Sequence, residues 1–218
     1  MTLEKIIAKI TTILDTGVSR VGFVSPSHVI PQVKSIIHAV HSLGYKPVWV
    51  YNSNGYDKIE TLRTLEGLID VYLPDFKYSD PALAAAYSDA SDYPEIAAGA
   101  IKEMVRQKGP VLHLSDKGTA ESGIIIRHLV LPGQVENSLK VIRYIAEEIS
   151  PRIHFSLMSQ NYPTPKVLCH PDLGRTLLPD EYNRIADEMI KLGMVNGWIQ
   201  EFGSADHYRP DFEREEPF

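Results

Sequence analysis

The chain has 218 residues, 44% of them hydrophobic and 23% charged, a length and balance that allow a full core and exclude a disordered polymer. Its formal net charge of −6 offers no basic footprint for broad nucleic-acid or anionic-membrane binding. One cysteine, Cys169, permits no internal disulfide and cannot by itself hold a metal cluster, and the expectation for it is an inert packed residue.

In chain order, MTLEKIIAKITTILDTG places Leu3, Ile6, Ile7, Ile10, Ile13 and Leu14 on a helical face broken by Glu4, Lys5, Lys9 and Asp15, a pattern of neither a signal peptide nor a membrane span. A cytoplasmic location is therefore expected. SRVGFVSPSH is a short strand closed by Ser, Pro and His. Val33, Ile36, Ile37, Val40 and Leu43 form a helix face that Gly44 ends, and KPVWVYNSNG is the next strand. Ile59, Leu62, Leu65 and Leu68 predict a helix, followed by the strand LIDVYLPDFK. SDPALAAAYSDASDYPE predicts a loop with a short helix, and Ile96, Ala100, Ile101, Met104 and Val105 a longer amphipathic one. SGIIIRHLVLPG is the strongest strand; Leu139, Ile142, Ile145 and Ile149 supply its helix, HFSLMSQNYP another strand, and Tyr182, Ile185, Met189 and Leu192 a last helix before GWIQEF. This alternation predicts an α/β domain over 1–202, an incomplete (β/α) TIM-type barrel of about five or six parallel strands. Residues 203–218 form a polar tail whose EREE end is expected to be solvated.

Polar residues recur where each apolar run stops: Ser25–His28, Asn52–Asn54, Asp75–Lys77, Arg127–His128 and Gln160–Tyr162. In parallel α/β folds the strand C-terminal ends converge on the face that carries the active site, so these groups read as one constellation. Extended backbone through VYLPDFKYSD would project Asp75 and Lys77 to one side and Phe76 to the other, a geometry compatible with a site or with a surface ion pair. A strand-end lysine suggests Schiff-base chemistry, but a neighbouring carboxylate stabilises its ammonium form and argues for ligand binding instead. The YNSNG turn adds the amides of Asn52 and Asn54, and Arg127 a planar fork for a carboxylate; together these suit a zwitterionic, hydroxyl-bearing small molecule. His38 and His41, one helical turn apart without a third ligand, are expected at the surface; His128 is expected to turn toward packing, and His154 and His170 show no partners in sequence.

The runs SRVGFVSPSH, VYNSNGY, LIDVYLPDFKY, AYSDASDYPEIA, IKEMVRQKG, GIIIRHLVLPG and LMSQNYP, taken in this order from about Gly17 to Pro165, resemble the pyruvate formate-lyase activating-enzyme-like group of radical S-adenosylmethionine proteins, and within it the PflX-type branch. The resemblance implies that Ser25, in SPSH, stands at the strand end that meets the methionine amino group of S-adenosylmethionine, and that Asn52 and Asn54 lie in the turn beside the cofactor. It implies that Asp75 and Lys77 match the family's Asp-x-Lys, that Arg127 faces the methionine carboxylate, and that Asn161 or Tyr162 falls near the adenine. The implied activity is reductive cleavage of S-adenosylmethionine to a 5′-deoxyadenosyl radical, which takes a hydrogen from a backbone glycine of a partner enzyme.

The chain departs from that family in one respect. Relatives hold a four-iron four-sulfur cluster on a CxxxCxxC loop after a first strand, and this sequence has no such loop. Iron in such clusters needs thiolates, which neither Cys169 nor the histidines replace. The expectation is a truncated or separately encoded activating-enzyme-like protein, inactive as written, or alternatively a non-catalytic binding module that keeps the pocket. A missing first strand would leave an open sheet edge, so a homodimer, a complementing chain or a glycyl-radical-type enzyme is the expected partner.

Overall fold

The computed structural model describes residues 2–202; the tail predicted over 203–218 lies outside the described residues. Helices α1 (Leu3–Asp15), α2 (Ile30–Ser42), α3 (Ile59–Arg63), α4 (Pro81–Ser88), α5 (Tyr93–Lys108), α6 (Val135–Glu148) and α7 (Pro179–Lys191) alternate with strands β1 (Arg20–Val24), β2 (Val48–Ser53), β3 (Val71–Pro74), β4 (His113–Leu114), β5 (Ala120–Leu129), β6 (His154–Met158) and β7 (Gly197–Ile199). Among the described residues the strands follow the order β1, β2, β3, β5, β6, β7, with β4 off this path on β5, and that order does not close on itself. This is the α/β class expected from the sequence, a mainly parallel and incomplete barrel. The chain divides into two compact units, residues 2–75 with 92–126, and residues 76–91 with 127–202 among those described; β5 passes through both.

In the first unit, β1, β2, β3 and the start of β5 pair in parallel, so that Gly22, Val50, Val71 and Gly123 fall in one row across the sheet. Strand periodicity then sorts the faces. Along β2, Trp49, Tyr51 and Ser53 are buried while Val48, Val50 and Asn52 are half-buried. The buried face lies under helices: Trp49 Nε1 donates to His41 Nε2 of α2 at 2.9 Å, and Tyr72 donates its hydroxyl to Gln107 of α5 at 2.7 Å. Val33, Ile37 and Val40 of α2 are buried, each contributing about 2 kcal/mol through the apolar area it removes from water. On the other face Val24 is 75% exposed.

One local prediction needed correction and one short strand was not foreseen. The apolar spacing from Ile59 to Leu68 is real, but only Ile59–Arg63 is helical; beyond it the chain winds in tight turns, with Leu65 N–H to Leu62 C=O and Leu68 N–H to Leu65 C=O both at 2.9 Å. Gly67, at φ +79°, permits that change of direction. Strand β4, antiparallel to β5, was not foreseen because two residues are too few to show alternation.

In the second unit β6 pairs with β7 in parallel, Phe155 opposite Gly197, and Val130 N–H donates to Met158 C=O at 3.0 Å. Helix α6 buries Leu139, Val141, Ile142 and Ile145, and α7 buries Tyr182, Ile185 and Met189. Asp80 caps α4 by accepting from Ala82 N–H at 2.8 Å, and Asp89, in the left-handed region, ends it. No helix among the described residues is long and apolar enough to cross a membrane.

Candidate functional site

In the first unit, the ends of β1 and β2 are tied by one buried carboxylate. Asp57, 2% exposed, accepts from the hydroxyls of Ser27 at 2.6 Å, Tyr51 at 2.8 Å, and Ser53. Ser53 Oγ in turn accepts from Gly55 N–H at 2.9 Å. A buried carboxylate without such donors would be costly, so the three hydroxyls are the condition for Asp57 to sit there. Burial, reinforced by the Asp57 charge, pushes the Tyr51 phenol far above its ordinary range, so Tyr51 stays a donor at any working pH. Ser25 follows β1 in the left-handed region, φ 50° and ψ 50°, and donates its N–H to Asn52 C=O at 2.8 Å. The single turn Pro26–His28 then brings Ser27 to Asp57.

The next strand end is a turn that only glycine fits. Gly55 has φ +82°, and a Cβ there would overlap the Asp75 carbonyl oxygen. Asn54 Oδ1 accepts from Tyr56 N–H at 3.0 Å, a side-chain turn of the kind asparagine makes. Tyr93, from the start of α5, places its hydroxyl 2.8 Å from Asn54 C=O and 2.9 Å from Asp75 C=O, bracing the ends of β2 and β3. Asp75 N–H continues the ladder to Ser53 C=O at 2.9 Å. Tyr56 stacks on Tyr93, centroids 6.1 Å apart with 5° between planes, and donates its hydroxyl to Asp92 at 2.7 Å.

In the second unit, the stretch that follows Asp75 is held by backbone and by α6. Phe76 N–H donates to Arg127 C=O at 2.9 Å. His128, 1% exposed, lies 2.7 Å by Nδ1 from Phe76 C=O and 2.8 Å by Nε2 from Ser138 Oγ. A carbonyl can only accept, so Nδ1 carries a proton toward Phe76 C=O. Asn137 Nδ2 donates to Lys77 C=O at 3.0 Å, and Asn137 Oδ1 accepts from Ser79 N–H at 2.8 Å. Burial alternates along the stretch: Phe76 and Tyr78 are buried, Lys77 and Ser79 half-buried.

Of the residues singled out in the sequence, Ser25, Asn52, Asn54 and Asp75 therefore stand at the C-terminal ends of β1, β2 and β3 in the first unit. Lys77 and Arg127 are half-buried strand-end residues of the second. His128 is the packed residue expected of it, and His38 and His41 are exposed. His170, expected to lack partners, accepts at Nδ1 from Asp172 and Leu173 N–H groups at 3.2 and 3.1 Å. Cys169 is exposed rather than packed. Sequence reasoning missed Asp57, Tyr56 and Tyr93. The one available signal was Asp57 four residues after Ser53, a spacing with no meaning until the turn at Gly55 is known.

Within the first unit, the strand-end donors are of a kind that suits part of the implied cofactor set: the Asp75 carboxylate and the amides of Asn52 and Asn54 suit amino and hydroxyl groups such as those of S-adenosylmethionine. They do not fit an iron-sulfur cluster: among the described residues no three His, Cys, Asp or Glu side chains converge to hold a metal, and Cys169 is the sole thiol of the sequence.

No protein-family profile matches the chain. It is 29% identical over 155 residues to "Uncharacterized protein MJ0674" of Methanocaldococcus jannaschii; the match takes in 71% of this chain but spans only 41% of that protein's length. Among solved structures it is similar to a domain of pyruvate-formate lyase-activating enzyme from Bacteroides vulgatus ATCC 8482, with a TM-score of 0.56 and 13% identity over 83% of this chain and 98% of that one. At that identity the likeness shows a shared α/β fold.

Proposed function

We propose that this chain is an S-adenosylmethionine-binding protein of the pyruvate formate-lyase activating-enzyme-like type, with contacts from Ser25, Asn52, Asn54 and Asp75 of the first unit; Lys77 and Arg127 are added by the sequence resemblance alone. The observation that carries the reading is the braced pair of strand ends, Asn52–Gly55 and Asp75, at the C-terminal side of parallel strands, where α/β folds bind their ligands and where the sequence resemblance also puts the cofactor. Arg127 is assigned to the ligand carboxylate, Asp75 to its amino or hydroxyl groups. No radical step is assigned to the residues of this chain, because they do not hold the cluster. In this reading a cytoplasmic partner completes the activity: either a polypeptide bearing the thiolates, meeting the edge strand β1, or a glycyl-radical-type enzyme as the protein served.

Calorimetric titration with S-adenosylmethionine tests this. Binding is expected, with Asp75→Asn and Arg127→Ala each weakening it about tenfold or more while leaving the thermal transition in place. A folded chain that takes up no S-adenosylmethionine sinks the proposal. The single cysteine favours, as a second reading, a binding module that uses the same pocket without any redox role; it is distinguished by binding that is unaffected by any cluster-bearing partner.

A further inference from the structure

We propose that the outer face of Tyr56 is a stacking shelf for a flat, nucleobase-sized aromatic ring carried by a small polar ligand. Tyr56 lies near-parallel to the buried Tyr93 ring, offset from it with centroids 6.1 Å apart, and remains 39% exposed, so its ring is open to solvent. The ring is fixed at both ends. Its backbone N–H is held by Asn54 Oδ1 and its hydroxyl by Asp92, which also keeps the phenol protonated by raising its pKa. Tyr93 beside it is anchored through its hydroxyl to Asn54 and Asp75 carbonyls.

A surface tyrosine with no task has no need of this support. A rigid aromatic plate loses little conformational freedom when a ligand ring settles on it, which is why such plates recur where bases are bound. The shelf shares its turn with Asn54 and lies one residue beyond Gly55, whose conformation brings the turn against Asp75. Polar groups that would hold the non-aromatic part of a ligand thus stand beside a plate that would hold its ring. The inference rests on the strand ends being the ligand side, but not on the ligand being S-adenosylmethionine. It also differs from the resemblance, which puts a residue near the adenine at Asn161 or Tyr162.

The test uses adenosine, S-adenosylmethionine and methionine as probes, titrated into the wild-type chain, Tyr56→Phe, Tyr56→Leu and Tyr162→Leu, with thermal unfolding to establish that each is folded. Stacking of one base predicts that Tyr56→Leu weakens adenosine about tenfold, that Tyr56→Phe stays within about threefold, and that Tyr162→Leu changes little. Independently of any variant, the base protons of adenosine bound to wild-type protein should shift upfield in NMR under the ring current. If adenosine binds as well to Tyr56→Leu, or without the ring-current shift, or responds to Tyr162→Leu instead, the shelf is overturned while S-adenosylmethionine binding can still stand. If adenosine binding depends on Tyr56 but S-adenosylmethionine binds no better than adenosine and methionine do separately, the shelf stands and the proposed function fails. A folded wild-type chain that binds neither nucleoside overturns both.

Discussion

Asp57 carries more of the local architecture than any residue the sequence pointed to. Its partners lie 30, 6 and 4 residues away along the chain, at the end of β1, in β2 and at the end of β2. Removing the carboxylate leaves the buried Tyr51 and Ser53 hydroxyls without their acceptor, while the exposed Ser27 can turn to water, and the cost of stranding buried polar groups exceeds the net worth of the bonds themselves. Asp57→Ala should therefore lower stability by about 2–4 kcal/mol in urea denaturation, whereas Ser27→Ala, which removes only one donor, should cost about 1 kcal/mol. Equal and small losses in both variants would show that Asp57 does not organise the strand ends. In the sequence Asp57 is one acid in a polar loop, and nothing local distinguishes it. The alternation from Asp75 to Ser79, with Phe76 and Tyr78 buried, was legible because strand periodicity is local; Asp57 was not, because its meaning comes from three contacts that only the fold supplies.

Among the elements, the loop that enters α7 shows how a carboxylate can pin a segment with little regular structure. Glu181, in the first turn of α7, pairs with Arg175 at 2.7 and 2.8 Å and accepts from Gly133 N–H at 2.8 Å and Leu178 N–H at 2.9 Å. The Arg175 guanidinium, aided by the two backbone donors, holds the Glu181 carboxyl down to about 2 from its ordinary 4.5. Because the folded-state value is depressed, the stabilisation is fully present above about 4.5 and fades as pH falls toward 2. Glu181→Gln should cost about 1–3 kcal/mol at neutral pH, and its disadvantage relative to wild type should shrink across that acid window. Glu103, held to about 2 by Arg106, keeps an acid limb of its own, so the variant flattens the pH profile without abolishing it. A variant whose deficit stays constant down to the acid end would rule out the ion pair as its source. The apolar face of α7 was plain in the sequence, but this clamp was not, since Gly133 and Arg175 approach Glu181 from segments with no periodic signal.

At the scale of the whole molecule, the strand order and the thiol count bear on different questions, the first on fold and the second on chemistry. The alternation of strands and helices, and with it a mainly parallel sheet, was legible from the periods of most elements, though the order of the strands was not, and the likeness to an activating-enzyme domain agrees with the α/β fold. Chemistry is set by ligands rather than by strand order, since one fold hosts many reactions. A cubane cluster needs at least three thiolates fixed within bonding distance of iron, and one chain supplies Cys169 alone, exposed in the loop between β6 and α7. Anaerobic incubation of the purified chain with iron, sulfide and thiol should therefore leave far less than one cluster per chain by iron and sulfide assay. Should a full cluster form, Cys169→Ser decides its origin: loss of the cluster would mean several copies sharing their single thiols, and survival would mean ligands of a kind this argument excludes. Either result would return a redox step to this protein, whereas a chain that stays iron-free while binding S-adenosylmethionine would assign it the binding half of the chemistry.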